Sequence, residues 1–297
     1  MRKILVCCLG GTIGSKVSDD NTIKLATSPD KSFFEKMKVK AEYKVVTPIM
    51  YSSENATIPY FKSALRGIIK AAEDELPDAI LVLHGTDSMA HFAQLAVRVL
   101  SYMNLPVIIT GAKAPIDDPH SDAISNVKFA LGILSAAMDG GNGSMTFGVV
   151  YSDGFMGQST FVQAVRTTSA DYDGEYKKFR GRGEANILSH DEAEAFLNSE
   201  EDKKILSIPS VPGFPYDSID VTKYDAIVVE AYHSGTADSK KLPELIKAAT
   251  EKNIKCYLAP VPPHKVPYES EQVLRDAGII ATNDICIEGA WAEAVIG

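Results

Sequence analysis

A chain of 297 residues, 45% of them hydrophobic and 23% charged, is long enough to bury one large α/β core or two smaller ones. Its net charge of -9, with no basic cluster to offset it locally, argues against nucleic acid as the main partner. No apolar run approaches the length of a membrane span, and Met1-Arg2-Lys3 leads straight into a short strand rather than a signal peptide.

The first expected element is a strand over 3–9, broken sharply by Gly10-Gly11-Thr12-Ile13-Gly14. A dinucleotide fingerprint would need glycine in place of Leu9, and no Gly-Lys-Thr follows to make a phosphate loop. The glycines suit the approach of a small substrate to backbone N–H groups beside Thr12; otherwise Thr12 is a plain turn hydroxyl. The polar stretch 15–28 reads as a mobile loop and candidate lid. A helix should start at Pro29, which suits a first helical turn, and take in Phe33, Phe34 and Met37. A strand over 43–50 then closes into Tyr51-Ser52-Ser53-Glu54-Asn55, and a helix spans 58–74; Ser53 and Glu54 suit a loop and cap as well as a site.

The wholly apolar run Ala79 to Leu83 reads as a buried parallel strand. Behind it Met89, Phe92, Ala93, Ala96, Val99 and Leu100 keep the spacing of an amphipathic helix. Between them stand Gly85, Thr86 and Asp87. Glycine permits a tight turn, threonine is a good N-cap and a carboxylate suits the first turn, so these residues fit a cap or a site equally well. A strand over 106–110 ends in Gly111-Ala112-Lys113, and the acidic run 117–122 opens a helix lined by Ile124, Val127, Leu131 and Leu134. Ligands in that run would be consecutive and interrupted by proline, so it reads as a solvated helix N-terminus and not a metal site.

A strand over 146–151 and a hairpin arm over 157–166 follow, and the pattern loosens from 172 to 220. A second α/β unit begins near Lys223, with strands at 226–230 and 256–259 and helices from Asp238, near 270–276 and from Glu288. The expected organisation is an N-terminal α/β domain over 1–182, a linker over 183–219 and a smaller C-terminal α/β domain over 220–297. Alternating strands and helices call for a mainly parallel, doubly wound sheet in the larger domain. Thr12, Ser53, Thr86 and Lys113 each follow a strand directly, so all fall on the carboxyl edge, where ligands bind. The six histidines have no partners at ligand spacing and suit core or surface roles, and the four cysteines make no disulfide framework. Neither a metal nor a cofactor is expected, and a reducing, cytoplasmic setting is.

Gly10-Gly11-Thr12-Ile13-Gly14 and His84-Gly85-Thr86-Asp87-Ser88-Met89 resemble the two signatures of the bacterial-type L-asparaginase family. Ser53-Glu54-Asn55 is similar to its substrate-carboxylate segment. Gly111-Ala112-Lys113 with Ser121, Asp122 and Asn126 resembles the segment that follows the second signature. The missing leader and the short loop after Thr12 resemble the cytoplasmic type I branch. The resemblance implies hydrolysis of L-asparagine to aspartate and ammonia through a threonine-linked acyl-enzyme, in a homodimer or homotetramer. Thr12 would be the nucleophile and Thr86 the second hydroxyl. Asp87 and Glu54 would bind the α-ammonium, Ser53 the α-carboxylate, and backbone N–H groups near Gly11, Gly85 and Ala112 the carboxylate and the oxyanion.

Departures from the family pattern are equally specific. Leu9 and Ser88 stand where threonines are usual, and Thr22 falls at or near the place of a loop tyrosine. In the run Arg166-Thr167-Thr168-Ser169 a serine stands where the family has lysine, and Lys113, on the same edge, is a candidate substitute. Gly235-Thr236 replaces a Gly-Asn that faces a partner's site. Two other readings stay open: a non-catalytic amino-acid binder, and an asparaginase-like subunit of a tRNA-dependent amidotransferase, which usually carries an extra N-terminal domain.

Overall fold

The computed structural model describes residues 2–20, 22–25, 29, 31–35, 37, 39–140, 147–151, 154–157 (backbone), 186–262, 266–283 and 285–297. Those within Met1–Gly174 and Ile187–Ser199 form one compact unit, and those within Glu175–Asn186 and Glu200–Gly297 a second.

The first unit is built on a six-stranded sheet in the order β4-β1-β5-β6-β7-β8, from β1 (Lys3–Cys8), β4 (Glu42–Val46), β5 (Ala79–Leu83), β6 (Val107–Thr110), β7 (Phe147–Tyr151) and β8 (Gly154–Gly157). All its pairings are parallel except β7 with β8. Every residue of β5 is buried, as its unbroken apolar sequence requires of a central strand covered on both faces. Ile4, Val6, Cys8, Leu81, Leu83, Ile108 and Val150 form one face. They pack against Phe34 of α1 (Lys31–Glu35) and Val127, Leu131 and Leu134 of α4 (Ala123–Asp139). Helices α2 (Ile58–Glu75) and α3 (Met89–Leu100) pack on the sheet and on each other. Helix α2 buries a stripe of Phe61, Ala64, Leu65, Ile68 and Ala72, while α3 is buried all round except at His91. The fold is thus α/β and doubly wound.

The second unit holds a four-stranded, wholly parallel sheet in the order β12-β11-β10-β9. Its strands are β9 (Ile205–Ile208), β10 (Ala226–Glu230), β11 (Lys255–Val261) and β12 (Ile280–Asn283). Alternation along β10 and β11 decides which helix each residue meets. Ile227, Val229, Cys256 and Leu258 face α6 (Leu242–Thr250) and α7 (Glu269–Asp276), while Ala226, Val228, Tyr257 and Ala259 face Ala290 and Ala294 of α8 (Ile287–Ile296).

Several expectations need revision. The stretch 15–28 is not an open loop throughout, because β2 (Ser15–Val17) and β3 (Ile23–Leu25) pair as an antiparallel ribbon. The stretch 183–219, expected as a linker, carries α5 (His190–Asn198), which groups with the first unit, and β9, the edge of the second sheet. The expected hairpin arm over 157–166 and the run 166–169 lie outside the described residues, apart from the backbone of Gly157 in β8. All four cysteines are buried and none is in a disulfide. Among the described residues no helix is long and apolar enough to cross a membrane.

Candidate active site

The chain leaves β1 toward β4 on one side, while β5 and its successors lie on the other, so the sheet reverses its winding between β1 and β5. Such a switch point opens a crevice at the carboxyl ends of the strands. Hydrogen bonding continues past the strands there: Leu9 N donates to Leu83 O at 2.9 Å, Tyr51 N to Leu9 O at 3.2 Å and His84 N to Thr110 O at 2.9 Å. The turns after β1, β4, β5 and β6 therefore leave the sheet side by side.

Bare backbone lets those turns touch. Gly11 sits at φ +75°, and a β-carbon there would lie 2.0 Å from Gly85 Cα. A β-carbon on Gly85 would lie 2.4 Å from Ser53 Oγ, and one on Gly111 would come 2.6 Å from His84 O and 3.2 Å from Thr86 Cγ2. Gly11, Ser53, Gly85, Thr86 and Gly111 thus belong to one cluster, with Thr12 one residue from the Gly11–Gly85 contact. Thr12 opens a short 3-10 turn, Thr12–Gly14, and the Gly11 carbonyl before it accepts from Ser15 Oγ at 2.9 Å. Among the described residues, the hydroxyls of Thr12 and Thr86 have no hydrogen-bond partner.

The cap expected at Thr86 and Asp87 is not formed. Helix α3 begins at Met89 with Ser88 as its N-cap residue, so neither Thr86 nor Asp87 caps it. Asp87 turns instead to the β4 side. Ser53 Oγ donates to Asp87 Oδ2 at 3.0 Å and accepts from Asp87 N at 3.3 Å, and Ser88 Oγ donates to Ser53 O at 2.7 Å. Ser53 is buried, whereas Asp87 and Glu54 are exposed. Ser53 and Asp87 are thus joined beside the Gly11–Gly85 approach, with exposed Glu54 next in the chain.

His84, directly before Gly85, is fully buried. Its Nε2 stands 2.7 Å from the Tyr51 hydroxyl and its Nδ1 2.7 Å from Gly85 O. The ring stacks on Phe92 and meets Tyr51 edge-on. Burial pushes its pKa down to about 4, so the imidazole is neutral near pH 7. Spacing alone gives His84 a core or surface role and Tyr51 none. The core position follows from Ala79–Leu83 running into it, but nothing in the spacing pairs it with Tyr51.

On the fourth turn Ala112 is buried and Lys113 exposed. Asp122 accepts from Lys113 N at 2.9 Å and from Asn126 Nδ2 at 3.0 Å, and Asn126 Nδ2 also donates to Gly111 O at 3.0 Å. Asp122, in the acidic run, thus holds the Gly111–Lys113 turn. Thr22 is occupied elsewhere: its hydroxyl donates to Asp20 Oδ1 at 2.6 Å and lies 3.0 Å from Ser18 Oγ, within the β2–β3 ribbon. In the second unit Gly235 and Thr236 close a turn in which Tyr232 N donates to Thr236 O at 2.8 Å. Among the described residues no group of three or more His, Cys, Asp or Glu could hold a metal ion.

Comparison with known proteins adds a family context. Residues 3–171 match the family model described as "Asparaginase, N-terminal". The chain is 25% identical over 307 residues to a subunit of the glutamyl-tRNA(Gln) amidotransferase of Methanobrevibacter smithii, covering 95% of this chain and 66% of that one. It is 32% identical over 138 residues to L-asparaginase 1 of Escherichia coli K12, covering 44% of this chain and 39% of that one. It therefore spans less than two thirds of the length of either relative. Among solved structures, a probable cytoplasmic L-asparaginase from Campylobacter jejuni shares the fold, with a TM-score of 0.76 at 14% identity over 100% of this chain and 94% of that one.

Proposed function

Because the chain belongs to the asparaginase family, we propose that it hydrolyses the side-chain amide of L-asparagine to L-aspartate and ammonia through an ester on Thr12. The observation that carries this reading is the bond between Ser53 and Asp87 beside the Gly11–Gly85 contact. An α-amino acid is complementary to that pair. Its carboxylate takes over the Ser53 hydroxyl proton and its ammonium donates to Asp87, with Glu54 adding negative charge at the rim. Each half of the zwitterion replaces half of an existing hydrogen bond, so neither partner is stranded.

With the α-groups so held, the side-chain amide carbon meets the Thr12 hydroxyl. Attack forms the C–O bond and puts negative charge on the amide oxygen, which backbone N–H groups near Gly11, Gly85 and Ala112 stabilise. The Thr12 proton passes by way of Thr86 to the amide nitrogen, and the C–N bond breaks to release ammonia. Water then attacks the ester, aspartate departs and Thr12 regains its proton. A threonine hydroxyl needs a base within reach, and we assign that part to Lys113, which takes the Thr12 proton from Thr86 and hands it to the departing nitrogen. The enzyme would act in the cytoplasm as a homodimer or homotetramer, with no cofactor, nucleic acid or membrane partner.

Ammonia release from L-asparagine tests this directly. The wild-type chain should turn over, and Thr12→Ala should lose roughly 10³-fold or more of the rate. Substitution Lys113→Met should lower kcat at least about tenfold with little change in KM; unaltered kcat would remove Lys113 from the mechanism. The likeness to the amidotransferase component over 95% of this chain supports a second reading, in which the same threonine chemistry feeds a tRNA-dependent amidotransferase. Turnover that requires a partner protein and charged tRNA would favour it. Binding of aspartate without turnover under either condition would favour a non-catalytic binder.

A further inference from the structure

We infer that His84 and Tyr51 form a positioning pair that sets the register of Ser53 against Asp87, and so tunes affinity for an α-amino acid without taking part in the chemistry. The inference rests on the reading above that Ser53 and Asp87 hold the two α-groups. Gly85 O can only accept a hydrogen bond, so the neutral imidazole must carry its proton on Nδ1. Nε2 is then an acceptor, and the Tyr51 hydroxyl must donate to it. This assignment leaves one consistent chain of donors: Tyr51 hydroxyl to Nε2, Nδ1–H to Gly85 O.

The chain of bonds joins two turns. Tyr51 lies two residues before Ser53, and its backbone is bridged to Gly10. His84 lies three residues before Asp87, at the point where the chain leaves β5. Phe61 and Phe92 surround the ring, and Tyr60 stacks on Tyr51, so the pair is walled in by apolar groups. A buried imidazole in such a place is costly unless both nitrogens are satisfied, and here both are satisfied by linking the turns. The two threonines are held differently. The turns of Thr12 and Thr86 have a further tie, the backbone approach of Gly11 to Gly85, which does not need the Tyr51 hydroxyl. Loosening the Tyr51–His84 link should therefore displace the groups that bind more than those that react, which keep the Gly11–Gly85 tie.

Two variants remove that link with little loss of volume. Tyr51→Phe deletes the hydroxyl, and His84→Asn keeps an amide donor near the Nδ1 position but nothing at Nε2. Each should raise KM for L-asparagine about three- to tenfold, with kcat within about twofold, and the double variant should be no worse than the worse single one. Unchanged KM, or a fall in kcat matching the loss of melting temperature, overturns the inference. Should the wild-type chain not turn over asparagine, calorimetric binding of L-aspartate replaces KM, with the same fold-change expected. Nitrogen-15 NMR of the ligand-free protein gives an independent readout. It should find His84 protonated on Nδ1 and bare on Nε2; a proton on Nε2 overturns the inference whatever the activity.

Discussion

Gly11 has no space for a β-carbon and a backbone angle that side-chain-bearing residues avoid. Gly11→Ala should cost at least about 3 kcal/mol of stability and abolish turnover, measured by urea denaturation and ammonia release. An unaltered urea midpoint would show that the turns can part. His84 makes a different prediction, with a definite sign. Its folded pKa, about 4, is below the ordinary value of 6.5 because burial disfavours the charged ring. The unfolded chain therefore takes up the proton first as the medium acidifies. Stability from this residue is complete above about pH 6.5 and is lost as pH falls toward 4. Wild-type denaturation midpoints should drop more steeply across that window than those of His84→Asn, and parallel curves would contradict the assignment.

At the scale of elements, α5 shows what a capping signal is worth. Ser189 accepts from Glu192 N, and the Glu192 carboxylate accepts from Ser189 N at 2.8 Å, a reciprocal box that satisfies two otherwise orphaned donors. Ser189→Ala should cost about 1 kcal/mol and speed hydrogen exchange in the first turn of α5 before it alters the rest of the unit. The Ser-x-x-Glu spacing is present in the sequence, yet α5 buries only Ala193 and Leu197, a stripe too thin to mark the segment as more than linker. Elements with long periodic faces are the legible ones: α2, α3 and α4 follow from their stripes, and β1, β5 and β6 from unbroken apolar runs. Strands β9 and β12 are four residues each at the two edges of their sheet, too short and too exposed to show a period. The β2–β3 ribbon has no readable pattern because Val17, Ile23 and Leu25 are exposed and its turn is tied by Ser18, Asp20 and Thr22 instead of by burial. In the candidate site the turns are readable from glycine and hydroxyl positions after strands. Their contact is not, since it depends on backbone approach between segments some seventy residues apart, as with Gly11 and Gly85.

For the molecule as a whole, one described hydrophobic cluster lies in the first unit and two in the second, and each sheet has helices packed on it. Leu258 lies fully buried in the second unit's sheet, on the face against α6 and α7. Leu258→Ala should cost about 2–5 kcal/mol there and split urea unfolding into two transitions, resolved by hydrogen exchange on each unit. A single transition shifted as one would show that the units melt together.

The glycine floor also bears on how such a protein could acquire a new substrate. Where backbone abuts backbone, no substitution can enlarge or reshape the cradle without prising the scaffold apart. Under the proposed activity, adaptation to a bulkier amide is then confined to exposed residues such as Glu54 and Lys113, where a change of side chain leaves the foundations undisturbed. Directed evolution for altered preference should accumulate its tolerated changes there, and leave Gly11, Gly85 and Gly111 untouched.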